Sequence, residues 1–354
     1  MREVLTAGRD PGTADHYLWC TPETVSWGTL PTARTAPVLA VGSGETVTFD
    51  TVSQEGLMED QGRDPIAYFG QFGVARGDVL PDAVDLAESD LHRMIMPKGP
   101  HIVLGPVHIR GAEPGDWLRV DFLDLAPRVP YGIISSRHRR GALPETLPRE
   151  ADDSLPAVFS RFCALGSPGR AEFRYDKGRA SIDIRPFMGL CGVTPSGEEE
   201  LSTIPPGSFG GNMDLREIVA GSALFLPVQI AGAGFFLGDP HFAQGNGEIA
   251  LTALEGSLRV TARLSVLKPL PGQLPATPFA ETDEHWILLG MDESLDIAMR
   301  ECARTAVDFL AFRTGMTPSE AYLYLSAAGD FSVTQVVDIV KGVHCAIRKR
   351  DFAG

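Results

Sequence analysis

Residues 238–248 bring Asp239, His241, Gln244, Asn246 and Glu248 together with three glycines and a proline. An apolar run, residues 223–237, leads in and a second, 249–254, leads out. A polar turn set between buried segments must find partners for its charges, because an unpaired buried carboxylate is costly. A metal ion or a tight hydrogen-bond network around a substrate supplies them. A second such segment, residues 205–214, is glycine-rich and ends in Asn212, Met213 and Asp214. Its glycines let the backbone approach a ligand closely. Metal-assisted hydrolysis needs two or three His/Asp/Glu ligands, an open position and an activated water. Asp214, Asp239, His241 and Glu248 provide that inventory. On an extended segment Asp239 and His241 share one face, being two apart. Glu248 lies beyond a Gly-Asn-Gly turn and can fold back on them, as a ligand or as the base that takes the water's proton. Asp214 meets His241 if the apolar runs between them form a hairpin or neighbouring strands. Asn212 and Gln244 are suited to orienting an amide or its departing ammonia, and equally to bracing loops. His101, after Gly99-Pro100, either lines the same pocket or serves as a turn histidine.

Short strands between Gly/Pro turns must hold these residues. Residues 258–266 alternate cleanly between apolar and polar side chains, and 117–122 do so in part. Residues 173–184 read as a hairpin about Asp176-Lys177-Gly178. With 38 glycines and 27 prolines, this pattern points to a sandwich or barrel. The last quarter changes character. Residues 292–313 carry apolar side chains at helical spacing. Thr317-Pro318-Ser319-Glu320 is a capping box that opens a helix ending at Gly329. Residues 333–340 read as strand or helix, and 343–347 as a final strand. The proline-rich stretch 268–282 reads as a connector. Two segments look inserted: 59–96, a lid or oligomer contact, and 129–150, where Arg137-His138-Arg139-Arg140 reads as a solvated loop rather than an anion-binding one. The expected organisation is a β-sandwich catalytic region over 1–267 and an α+β region over 268–354.

A composition of 44% hydrophobic and 22% charged residues over 354 positions is that of a globular protein. The net charge of −15 disfavours nucleic acid and anionic membranes as partners. The N-terminus shows no apolar secretory segment, and the longest apolar run is broken by Pro227 and Gln229, so no membrane span is expected. Five dispersed cysteines without C-x-x-C spacing read as reduced thiols in a cytoplasmic protein. Cys191 is expected to be a buried thiol, with no paired histidine nearby.

Gly210-Gly211-Asn212-Met213-Asp214, then Gly238-Asp239-x-His241-x-Ala243-Gln244-Gly245-x-Gly247-Glu248, resembles the acetamidase/formamidase family of amide hydrolases. Gly99-Pro100-His101, Gly105-Pro106, 111–116, Glu320-Ala321-Tyr322 and 325–330 match in order along nearly the whole chain. The resemblance implies a mostly β fold, a jelly-roll-like β-sandwich with a C-terminal α+β portion. It implies hydrolysis of a small carboxylic amide to carboxylate and ammonia. It further implies a divalent metal, zinc, held by Asp214, Asp239 and His241, with Glu248 as base and Asn212, Gln244 and His101 around the substrate. A homo-oligomer is expected on the same ground. Two positions depart from the family pattern. Asn246 stands where an aspartate is expected, and Gln54, in Ser53-Gln54-Glu55-Gly56, where a histidine is expected. Both departures favour, as alternatives, a non-catalytic small-molecule or metal-binding protein on the same scaffold. The inserted segments favour a hydrolase of a larger or cyclic amide.

Overall fold

The computed structural model describes residues 4–10, 12–91, 98–150, 153–166, 169–268 and 277–352. Its strands form two large sheets. The nine-stranded sheet runs, in spatial order, β1 (His16–Trp19), β4 (Thr46–Asp50), β16 (Leu258–Leu267), β6 (Trp117–Pro127), β13 (Ala223–Pro227), β17 (Phe279–Glu281), β18 (His285–Asp292), β20 (Lys341–Arg348) and β19 (Asp330–Gln335). The eleven-stranded sheet runs β10 (Gly178–Asp183), β9 (Arg170–Tyr175), β8 (Val158–Leu165), β7 (Tyr131–Arg137), β15 (Leu254–Glu255), β14 (Phe235–Ala243), β11 (Phe187–Val193) and β12 (Gly210–Asn212). Branching from it, β5 (Ile102–Ile109) pairs with β14 and carries β2 (Val25–Trp27) and β3 (Leu39–Val41). The mostly β sandwich with a C-terminal helical portion is as expected.

Period-2 alternation builds three layers. In β13, Leu224 and Leu226 face the core between the sheets, whereas Ala223 and Phe225 face the other way. In β18, Ile287 and Leu289 face inward while Trp286 and Leu288 face outward. The two sheets meet through side chains such as Phe49 and Phe235, whose rings lie 5.9 Å apart. Both are fully buried, and each such side chain contributes roughly 1.5–3 kcal/mol of burial. The outward face of the nine-stranded sheet is covered by α3 (Leu295–Thr314) and α4 (Pro318–Ala328), through Ala298, Cys302, Ala306, Phe309 and Leu325. The capping box at Thr317 and Glu320 forms, and Gly329 caps the end of α4.

Residues 268–354 therefore continue a sheet begun by the N-terminal region and add a helical layer to it. The 59–96 segment holds α1 (Pro65–Gly70) and α2 (Pro81–Glu88), which bury Tyr68, Phe69, Ala83 and Leu86 in the main core. Residues 92–97 of that segment, and 269–276 of the expected connector, lie outside the described residues. No helix among the described residues is long and apolar enough to cross a membrane.

Candidate active site

The candidate residues gather on β14 and its neighbours. Asp239 and His241 project from one face of β14, and His241 Nε2 lies 3.0 Å from Asp239 Oδ2. Glu255, on β15, stands opposite His241 in register, with Oε1 3.1 Å from the same nitrogen. The route that brings Asp214 to His241 differs from the expected hairpin. The two apolar runs between them fall in different sheets, because β13 joins the nine-stranded sheet and β14 the other. Asp214 arrives instead at the end of β12, and β11 lies between β12 and β14. The enabling residue is Gly189 on β11. A Cβ there would sit 2.5 Å from Asp214 Oδ1, 2.6 Å from Asp239 Oδ2 and 2.8 Å from His241 Cε1.

Glu248 folds back as expected. The loop that carries it is tied to the end of β19, where Gly247 N donates to Thr334 O (3.0 Å) and Val336 N to Gly247 O (3.1 Å). This tie also brings in Asp338. Among the described residues, five of the ten non-glycine residues with positive φ line this one cavity: Asp214, Asp239, Glu248, Leu251 and Ile339. Left-handed backbone at such residues is costly and persists where surrounding structure enforces it. The strain is therefore concentrated at this site.

Buried polar atoms show what the site lacks. Asp214 Oδ1, His241 Nε2, Glu248 Oε2, Asn212 Oδ1 and Asp338 Oδ2 are all buried without a hydrogen-bond partner. The close approach of His241 Nε2 to two carboxylates is thus a contact of charges without hydrogen-bond geometry. Ligand atoms of Asp214, His241 and Glu248 lie within 4.8 Å of one another, as do those of Asp239, His241 and Glu255. Either group has the donors and compactness to hold a cation. They differ in how far their atoms are already committed. Asp239 Oδ1 accepts from Gln54 Nε2 (3.0 Å), and Glu255 Oε1 accepts from Ala253 N (3.1 Å). In the first group, each of the three residues retains an unpartnered atom.

Gln244 does not reach the cavity, contrary to its expected role at the substrate. Its Nε2 donates to Asp214 O (2.9 Å), so its Oε1 is the acceptor facing His241 Nδ1 at 3.1 Å. That bond makes Nδ1 the protonated nitrogen and leaves the Nε2 lone pair to a ligand, the usual arrangement for a metal-binding histidine. Gln244→Ala is expected to weaken metal binding about 10–100-fold with little effect on folding. A metal titration of the chelator-treated variant checks this, and affinity equal to the parent contradicts it.

His101 and Asn212 do line the cavity. His101 Nδ1 pairs with Thr203 Oγ1 (3.0 Å), and its Nε2 lies 3.8 Å from Asp239 Oδ2. Asn246 is exposed on the turn and does not line the cavity, so the departure there removes no carboxylate from it. Gln54 is inside, bonded to Asp239. Cys191 is fully buried, and burial pushes its thiol well up, as expected of an inert thiol. Arg137 is not part of a solvated loop. It ends β7, mostly buried, and pairs with Asp60 (2.6 Å) and Glu55 (3.2 Å). Ile249, expected in a buried run, is 66% exposed.

Sequence reading missed Glu55, Glu255 and Asp338 as cavity residues. The available signal was an acid set among apolar neighbours, as in Ala253-Leu254-Glu255 and Val337-Asp338-Ile339.

Burial dominates the electrostatics. It raises Asp214, against the opposing influence of neighbouring Asp338 and the charge of His241. It raises Glu248 and Asp338 strongly, and the charge of Asp214 adds to both. Glu255 is pushed up to about 8 by burial, with Asp239 and Glu55 adding and His241 opposing. For His241, burial favours the neutral ring, but Glu255 and Asp239 outweigh it and hold the pKa well above the ordinary value. For Asp239, burial is outweighed by His241 and His101, so it stays ionised. Raised folded-state pKa values contribute stability that is present below the unfolded values and lost as pH rises through the folded ones. Protein stripped of metal is thus expected to lose stability as pH rises through about 8, where Glu255 sheds its proton. A urea midpoint lower at pH 8.5 than at pH 5.5 is the expected result, and one that rises with pH contradicts it.

With this geometry, similarity to known proteins becomes specific. Residues 193–348 match the model of the acetamidase/formamidase family. That span holds Asn212, Asp214, Asp239, His241, Gln244, Glu248, Glu255 and Asp338. The chain resembles the acetamidase/formamidase family over this span. The acetamidase of Mycolicibacterium smegmatis is 30% identical over 42% of this chain and 49% of its own. The formamidase of Methylophilus methylotrophus is 23% identical over 68% of this chain and 74% of its own. The crystal structure of an acetamidase from Yersinia enterocolitica aligns with a TM-score of 0.76 at 26% identity, covering 99% of this chain and 96% of that one. Gln54, Glu55, His101 and Arg137 lie outside the family match but inside the structural alignment's reach, and they complete the wall of the acetamidase/formamidase-type cavity.

Proposed function

We propose that this chain hydrolyses a primary carboxylic amide, with formamide and acetamide as the reference substrates. The carbonyl C–N bond breaks, the water oxygen becomes a carboxylate oxygen, and the water's two protons end on the departing nitrogen, which leaves as ammonium, in equilibrium with ammonia. One observation carries the reading: Asp214 Oδ1, His241 Nε2 and Glu248 Oε2 converge, buried and unpartnered, beside a cavity that Asp214 and Glu248 line, in a chain similar to this family.

These three atoms are the holders we assign to a divalent cation. That gives Glu248 a ligand role in place of the base role, and Asp239 the role of a charged neighbour. Zinc suits a mixed imidazole and carboxylate set. When bound, such an ion polarises a carbonyl and lowers the pKa of water. The chain's own residues supply the rest. Gln244 fixes the His241 tautomer. Asn212 Oδ1 accepts from the substrate's amide N–H, and His101 borders the same space. Asp338, held protonated by burial beside Asp214, offers its Oδ2 proton to the departing nitrogen. The apolar wall of Met58, Ile204 and Leu251 limits the water that reaches the acid cluster.

The reading extends to a cytoplasmic homo-oligomer. Five buried, unpaired cysteines support a reducing compartment. Ammonia and carboxylate assayed in equal amounts from formamide and acetamide test the activity. Thermal stabilisation by the amides without ammonia release would instead support a binding protein, the reading that Gln54 favours.

A further inference from the structure

The catalytic cavity is larger than its reference substrates require. Its volume is about 90 Å³, several times the roughly 10–15 Å³ that one water needs. Acetamide has only four non-hydrogen atoms. Besides the acid cluster, the lining carries an apolar set, Met58, Ile204, Leu251, Val337 and Ile339. At the rim stands Arg140, exposed, with no side-chain hydrogen bond or ion pair among the described residues. Its neighbour Arg137 is committed to Asp60 and Glu55, and that anchored residue accepts the Arg140 backbone N–H at 3.0 Å. Arg140 also borders a second, apolar groove lined by Leu143, Leu147, Phe159 and Ile249, so cavity and groove meet at its side chain.

We propose that the preferred substrate is a primary amide whose carbon chain runs along the apolar wall and ends in a carboxylate held by Arg140. This rests on the amide-hydrolase reading above and names its substrate class. The chemistry is complementary at each level. The polar floor takes the amide, the apolar wall takes the methylenes, and the free guanidinium takes the carboxylate through its planar fork. A neutral amide of the same length leaves Arg140 unused. A cationic one places like charges together.

The test measures ammonia release by the metal-loaded, full-length protein. Substrates are monoamides of the four-, five- and six-carbon dicarboxylic acids, each beside the neutral amide of equal length. The expected result is a preference of roughly tenfold or more in kcat/KM for the anionic member at the best length, the scale of one charge-assisted contact. Arg140→Gln should reduce that preference about tenfold, mainly through KM, because a remote contact is made equally in ground and transition states. Arg140→Glu should reverse it. Equal rates on each pair, or a preference unmoved by Arg140→Gln, overturn this inference and leave the amidase reading standing. Ammonia from none of the amides overturns both.

Discussion

Replacing His241 by alanine is expected to abolish bound metal and to lower amide turnover by more than about 100-fold, beyond what loss of an outer-shell partner costs. His241 is the one nitrogen donor shared by both candidate ligand groups. Its Nε2 is buried and unpartnered, and its other nitrogen is fixed by Gln244. Removing the ring leaves Asp239 and Glu255 without their cationic neighbour. His101→Ala serves as the contrast. His101 borders the same cavity, but its Nδ1 is taken by Thr203, and its loss should leave metal content intact. A folded His241→Ala protein that keeps one equivalent of metal and most of its turnover contradicts the assignment.

Gly189→Ala is expected to disable the site with almost no change in side-chain chemistry. One methyl group would enter the point where Asp214 Oδ1, Asp239 Oδ2 and His241 Cε1 converge, at 2.5, 2.6 and 2.8 Å. Real Cβ contacts do not come that close, so the three groups must move apart. A displacement of about 1 Å at a catalytic centre can cost 10²-fold in rate. Overpacking adds about 1–3 kcal/mol of destabilisation. Gly77→Ala, where a Cβ meets nothing within 4 Å, is the matched control. Turnover and metal affinity equal to the parent in Gly189→Ala would mean that these side chains do not act together.

The sequence makes part of this site legible because part of it is local. Asp239 and His241 share a face through the two-residue period of one strand, and Glu248 returns through a glycine turn beside them. The α4 boundaries follow from Thr317, Glu320 and Gly329 in the same way. Other members depend on long-range pairing. Glu255 faces His241 only because β15 pairs with β14. Asp338 arrives because the Glu248 loop is tied to Thr334 and Val336. Asp214 arrives through β11, on a route hidden by the intervening passage of β13 through the other sheet. Arg137 read as one of a run of surface charges, since its partners, Glu55 and Asp60, lie about 80 residues upstream in the chain. Gln244 illustrates the reverse case. Its residue type suits a substrate amide, but a backbone carbonyl and a histidine ring already claim both ends of its own.

The central claim is that a cation held by Asp214, His241 and Glu248 is required for amide hydrolysis. Ammonia release from acetamide by chelator-treated protein, as zinc is added back in measured equivalents, tests it most directly. The predicted result is no release without metal and a rise that saturates at a fixed ratio of zinc to chain. Undiminished release by metal-free protein would contradict it.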